Sequence, residues 1–119
     1  MKKCIYCDDL RTPFNDRWTI VRDFYQFIDT VESIGLENIA IISLDHDLGL
    51  FPGKAEKTGY DCAKWLVNLS MDRNISLPQI FVHSSNTVGT FNIINYVNNY
   101  LHFCGLPETC SIGNIPFKI

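Results

Sequence analysis

The chain has 119 residues, of which 46% are hydrophobic and 19% are charged. This balance is typical of one globular domain, here residues 1–119, and excludes a disordered or low-complexity chain. The formal net charge is -3 and no Lys/Arg block occurs, which argues against duplex DNA as a partner. No apolar run reaches the roughly 18 residues of a membrane span, and the N-terminus becomes acidic too early for a signal peptide. We therefore expect a cytoplasmic protein that is not bound to a membrane.

The five cysteines are an odd number, which does not indicate a disulfide framework. Cys4 and Cys7 form a C-x-x-C motif inside the first predicted strand, away from a helix N-terminus that would stabilise a thiolate. We interpret them as buried strand residues rather than as a zinc or redox pair.

The first of three predicted strand–helix units begins with a short buried strand at residues 3–7. The helix after it could be capped by Asn15 or Asp16 and would end at Gly35. Its apolar residues recur at helical spacing: Ile20, Val21, Phe24, Phe27, Ile28, Val31 and Ile34.

The second unit begins with a β-branched strand at residues 39–44. The loop at 48–57 has the length and composition of a flap or a binding loop. Thr58 and Asp61 then match a capping box at the start of the second helix.

The third unit has a strand at residues 79–82 and a helix at about 88–101. That helix is predicted to bury Val88, Phe91, Ile94, Val97 and Leu101. Residues 112–119 could add an edge strand, where Pro116 is tolerated. The alternation predicts an α/β fold: a small three-layer sandwich with a mainly parallel sheet and helices on both faces.

Polar residues directly follow each predicted strand, and the carboxyl ends of parallel strands share one edge of a sheet. Four acids could hold a hard cation such as Mg²⁺ or Mn²⁺ there: Asp8, Asp9, Asp45 and Asp47. The alternative is that they are ordinary loop acids.

Two histidines of this edge could supply the acid and the base for cleavage of a phosphodiester: His46 and His83. Ser84, Ser85 and Asn86 precede a helix and could bind an anion or simply cap that helix. Arg11 is suited to phosphate, or alternatively to an ion pair with Asp8, Asp9 or Asp47.

Four motifs in order carry a family resemblance: Cys-Asp-Asp-Leu-Arg-Thr-Pro, Ser-Leu-Asp-His-Asp-Leu-Gly, Thr-Gly-Tyr-Asp-Cys-Ala-Lys-Trp-Leu and Val-His-Ser-Ser-Asn-Thr-Val-Gly. Together they resemble the cyclic-phosphate processing receiver-like domain. The resemblance implies a receiver-like, flavodoxin-like fold and a role with cyclic phosphates in RNA repair or nucleotide signalling. By position it implies an acidic pocket of Asp8, Asp9 and Asp45. It also implies added polar groups at His46, Asp47, His83 and Asn86, and further motif positions at Arg11, Thr58, Gly59 and Asp61. A phosphorelay receiver places a lysine at the end of its last strand, and Lys118 is the only late candidate for it.

The leading hypothesis is a metal-assisted phosphoesterase, a hydrolase that acts on 2′,3′-cyclic phosphate ends of RNA or on cyclic nucleotides. Asp45, His46 and His83 would be its catalytic residues. A non-catalytic module that binds or sequesters a cyclic nucleotide is an alternative, as is a divergent phosphorelay receiver with Asp45 as phosphoacceptor. The sequence does not indicate an oligomeric state.

Overall fold

The structure is a computed structural model that describes residues 2–13, 16–49, 53 and 55–113. Its elements in chain order are strand β1 (Lys3–Cys7), strand β2 (Trp18–Val21), helix α1 (Phe24–Ile34), a 3₁₀ turn (Leu36–Asn38), strand β3 (Ile39–Leu44), helix α2 (Gly59–Arg73), strand β4 (Gln79–Val82), helix α3 (Thr87–Phe103) and strand β5 (Ser111–Ile112).

The five strands form one sheet in the order β2-β1-β3-β4-β5, and each neighbouring pair is parallel. This order is that of flavodoxin-like folds, so the predicted receiver-like α/β fold is confirmed. All strand carboxyl ends therefore lie on one edge of the sheet, which we call the rim.

Strand β2 was not predicted. Residues 18–21 were assigned to the first helix, but they pair with β1, with Cys4 opposite Trp18 and Cys7 opposite Val21. Their aromatic and β-branched side chains favour a strand, although their spacing also continues the helical pattern of α1. Helix α1 instead begins after Asp23, whose carboxylate accepts a hydrogen bond from the Gln26 N–H. Asp16 therefore does not cap the helix, and Asn15 lies outside the described residues.

The three described helices pack on one face of the sheet, which corrects the prediction of a three-layer sandwich. Their buried residues belong to one cluster with Ile5, Ile42 and Ile80, whereas Cys4, Tyr6 and Trp18 form a separate cluster on the opposite face. The helices connect β2 to β3, β3 to β4 and β4 to β5, so each connection moves in the same direction across the sheet. Because such connections are right-handed, all three helices lie on the same side. The β1–β2 connection progresses in the other direction, but its described residues form no helix.

Helix α2 has the predicted capping box, in which Thr58 and Asp61 bond each other's backbone N–H groups. Helix α3 is rotated relative to the prediction: Val88 is 72% exposed and Phe91 49% exposed. The buried stripe is Ile93, Val97 and Leu101, and small residues of the first turn, Gly89 and Thr90, replace the expected apolar side chains.

Strand β5 confirms the C-terminal edge strand at Ser111–Ile112. Residues 114–119, with Pro116 and Lys118, lie outside the described residues, as do 50–52 and 54 of the predicted binding loop. None of the described helices is long and apolar enough to cross a membrane.

Candidate functional site

The rim is assembled by ladder hydrogen bonds that continue one residue past the strands. The Asp8 N–H donates to the Val21 carbonyl at 3.1 Å, and the Asp45 N–H donates to the Cys7 carbonyl at 2.9 Å. The His83 N–H donates to the Leu44 carbonyl at 2.9 Å. Asp8, Asp45 and His83 are thereby held side by side above β1, β3 and β4.

Three carboxylates converge at the rim, those of Asp8, Asp9 and Asp45. One oxygen of each lies within 4.8 Å of the others. Asp8 is fully buried and Asp45 is 6% exposed. Their chemistry fits Mg²⁺ or Mn²⁺, which prefer carboxylate oxygens. Asp47, the fourth predicted ligand, is not part of this group because its side chain is 63% exposed and turns to His46.

The Arg11 side chain forms ion pairs with Asp8 and Asp45. The pair with Asp8 was the predicted alternative to phosphate binding, whereas the pair with Asp45 was not predicted. Arg11 Nε donates to Asp8 Oδ2 at 2.8 Å, and its Nη2 donates to Asp45 Oδ2 at 3.3 Å. Burial raises the pKa of Asp8, but backbone N–H donors, Arg11 and His83 outweigh it and leave the pKa lowered. Asp8 is therefore ionised at neutral pH.

Arg22 holds the loop that carries these groups, and the sequence did not reveal this role. Its Nη1 donates to the carbonyls of Asp8 at 3.0 Å and Arg11 at 2.7 Å, and its Nη2 donates to the Thr12 hydroxyl at 2.9 Å. Arg22 thus orders the connection between the parallel strands β1 and β2. A connection of this kind usually contains a helix.

His83 is buried between groups that use both ring nitrogens. Its side chain is 6% exposed and stacks on the Tyr6 ring at 4.3 Å between centroids. Nε2 lies 3.0 Å from Asp8 Oδ2, and Nδ1 lies 2.7 Å from the Ser43 hydroxyl. Burial lowers the pKa of His83 despite the opposing effect of Asp8.

The ionised Asp8 carboxylate only accepts hydrogen bonds, so Nε2 of His83 carries the proton and Nδ1 accepts a hydrogen bond from the Ser43 hydroxyl. This neutral ring positions Asp8. Both ring nitrogens of His83 already have protein partners, and its acid–base role stays a prediction.

His46 has the opposite arrangement. Its Nδ1 lies 2.9 Å from Asp47 Oδ1, which also accepts a hydrogen bond from Asn86 Nδ2 at 3.2 Å. These hydrogen bonds from His46 and Asn86 lower the pKa of Asp47. Because the Asp47 carboxylate accepts this hydrogen bond, His46 Nδ1 carries a proton, and Nε2 has no hydrogen-bond partner among the described residues. His46 Nε2 is therefore a ring nitrogen without a protein partner among the described residues, unlike either nitrogen of His83.

A family model described as the cyclic-phosphate processing receiver domain matches residues 3–99, from β1 through most of α3. The chain belongs to this family. No curated protein and no solved structure shows a significant match to it. The predicted resemblance is confirmed, and with it the assignment of the chain to receiver domains of cyclic-phosphate processing.

In this cyclic-phosphate processing receiver domain, Asn86 caps α3, and Ser84 binds the N–H group of that cap residue. Asn86 Oδ1 accepts the Gly89 N–H at 2.9 Å, and Ser84 Oγ accepts the Asn86 N–H at 3.1 Å. Ser85 is exposed. The capping interpretation therefore holds for Asn86, and anion binding by the three residues stays a prediction. Thr58 and Asp61, the secondary candidates, cap α2.

Two glycines of the domain are needed for close packing at the rim. A Cβ atom on Gly89 would lie 2.5 Å from Cδ2 and 2.7 Å from Nδ1 of His46, and closer still to Cγ. A Cβ atom on Gly59 would lie 2.9 Å from the Asp45 carbonyl carbon and closer still to its oxygen. Glycine is a poor helix former, so a glycine in the first turn of each of the helices α2 and α3 was the sequence signal for close packing there.

Proposed function

We propose that this chain is a divalent-cation-assisted phosphoesterase that opens cyclic phosphates, either 2′,3′-cyclic phosphate ends of RNA or cyclic nucleotides. Membership of the family supports the substrate class. The convergence of Asp8, Asp9 and Asp45 supports the cation.

The cation would be held by these three carboxylates at the rim. When bound, it would neutralise charge on the phosphoryl oxygens and acidify a coordinated water. Arg11 and the α3 N-terminus, with Ser84, Ser85 and Asn86, would hold the phosphate, because N–H groups at a helix start and a guanidinium both favour an anion. Asp45 would act through the cation site and not as an acid or base, since its buried carboxylate belongs to the cluster with Asp8 and Asp9.

His46 would act as the general base. Its Nε2 would take a proton from the attacking water while the new P–O bond forms and one ring P–O bond breaks. The departing ribose oxygen would take its proton from solvent. His83 would contribute by orienting Asp8, as a positioning residue.

The single observation that carries this proposal is the contact between His46 Nδ1 and Asp47 Oδ1 at 2.9 Å. A carboxylate on one ring nitrogen selects the tautomer whose other nitrogen accepts a proton. That pair directly follows Asp45, so the base and the carboxylate cluster are joined by one peptide bond.

The test is incubation with 2′,3′- and 3′,5′-cyclic nucleotides and short RNAs with cyclic ends, in Mg²⁺, Mn²⁺ or EDTA, with separation of the products by chromatography. We expect ring opening that EDTA abolishes and that His46→Ala lowers by about 10²-fold or more. His102→Ala is the matched control, because His102 is 79% exposed and pairs with Glu108 instead. Full turnover by His46→Ala would refute the assignment. Unchanged nucleotide with a raised melting temperature would favour the non-catalytic binding module.

A further inference from the structure

Every acceptor position of the Asp8 carboxylate is engaged. Oδ1 accepts the backbone N–H groups of Leu10 and Arg11, both at 2.9 Å. Oδ2 accepts Arg11 Nε at 2.8 Å and His83 Nε2 at 3.0 Å. A carboxylate has about four lone-pair positions, so a cation can bind Asp8 only after one donor has left.

Only one of the four donors can leave without unfolding its surroundings. The two N–H groups belong to the loop that Arg22 holds, and His83 is fixed by Ser43 and Tyr6. The Arg11 guanidinium is at the end of a flexible side chain that is 51% exposed. It also covers Asp45 Oδ2, so one movement would uncover two of the three clustered carboxylates.

We propose that Arg11 is an internal counter-ion that a divalent cation displaces from Asp8 and Asp45, and that the released guanidinium then binds the phosphate. This inference depends on the cation site of the proposed function. It makes cation and phosphate binding cooperative: cation binding frees Arg11 for phosphate, and phosphate keeps Arg11 away from the carboxylates. By linkage, each ligand raises the affinity for the other by the same factor.

The direct test is a Mg²⁺ titration of the wild-type protein followed by ¹H–¹⁵N NMR of the arginine Nε–H groups. We expect the Arg11 signal to lose its protection from solvent exchange as Mg²⁺ binds. The Arg22 signal is the internal control and should not change, because Arg22 bonds carbonyl and hydroxyl oxygens rather than the clustered carboxylates. An Arg11 signal that stays protected at saturating Mg²⁺, or an absence of Mg²⁺ binding, would overturn the inference.

A second test measures the Mn²⁺ affinity of variants by calorimetry. Arg11→Gln should bind Mn²⁺ at least about fivefold more tightly than wild type, the lower end of common coupling factors. Arg73→Gln is the matched control for loss of one positive charge, since Arg73 is 48% exposed and pairs with Glu32. Equal Mn²⁺ affinity of the two variants would contradict the exchange.

Dimethyl phosphate, a phosphodiester without a ring to open, probes the coupling. It should tighten Mn²⁺ binding to the wild type and have a smaller effect on Arg11→Gln. An equal effect on both proteins would refute the coupling. None of these readouts needs turnover, so an inactive protein that exchanges Arg11 for Mg²⁺ would contradict the proposed function alone. An active protein whose Arg11 stays in place would contradict this inference alone.

Discussion

Substitution of Gly89 by alanine should separate the proposed ring-opening activity of this domain from its stability. The new Cβ would approach Cδ2 of His46 to 2.5 Å, whereas carbon atoms pack at about 3.5 Å or more. The imidazole must therefore move by about 1 Å. It can do so because only a side chain is in the way, and that side chain is 18% exposed at the rim.

The expected magnitudes follow from this displacement. A catalytic group misplaced by about 1 Å loses about 10²-fold in rate. Alanine gains up to about 1 kcal/mol of helix propensity over glycine. The weakened His46–Asp47 hydrogen bond costs about 1 kcal/mol. These stability effects nearly cancel, so the melting temperature should stay within about 5 °C of wild type.

The assay is the proposed ring opening, measured with cyclic nucleotides, together with thermal unfolding and the NMR signal of the His46 ring. Gly59→Ala is the matched comparison: its Cβ would meet the Asp45 backbone, which cannot move aside, and we expect a loss of about 3 kcal/mol. Wild-type turnover and an unshifted His46 signal in Gly89→Ala would refute the reasoning.

Three further predictions concern groups around the carboxylates. Arg22→Gln should destabilise the protein by about 2 kcal/mol in urea unfolding, because charged donors leave the Asp8 and Arg11 carbonyls; a change as small as that of the exposed Arg73→Gln would contradict it. Burial lowers the pKa of His83, so the unfolded chain binds this proton first and stability should fall as pH drops below about 6.5. The slope, measured in EDTA, should be at most about 1.4 kcal/mol per pH unit for this proton and should flatten in His83→Gln; equal slopes would contradict it. Asp47→Asn should lower turnover by about 10-fold or more while leaving Mn²⁺ affinity unchanged, since Asp47 contacts His46 and lies outside the carboxylate cluster; weakened Mn²⁺ binding would show that Asp47 is a ligand.

The sequence predicted the strands with high accuracy where strong local signals coincide. The bounds of β1, β3 and β4 agree with the prediction, and so does the capping box of α2. Strand β2 was missed because Ile20 and Val21 fit the spacing of a helix as well as that of a strand. Their pairing with β1, which the sequence does not show, makes them a strand. Val88 and Phe91 were expected to be buried because they lie at helical spacing from Val97 and Leu101. Spacing alone does not show which side of the first turns of α3 faces the sheet, and both residues are exposed.

The candidate site was predicted as a set of residues but not as a geometry. Adjacency along the rim brought Asp8, Asp9 and Asp45 together as expected. The sequence could not assign different roles to His46 and His83. The surroundings of His83 depend on Ser43 and Asp8, which lie 40 and 75 residues away along the chain. Ser43 was overlooked, although a single hydroxyl in an apolar strand is a signal of a buried polar contact.

The stack of Tyr6 on His83 ties the rim to the side of the sheet that bears no described helix. Trp18 packs edge-on against Tyr6 at 5.8 Å between centroids, and Tyr6 supports the ring that holds Asp8. A smaller side chain at Trp18 would therefore remove support from Tyr6 and, through His83, from the Asp8 carboxylate. Substitutions on this side of the sheet would thus alter the carboxylate cluster from a distance, without contact with any of the three described helices.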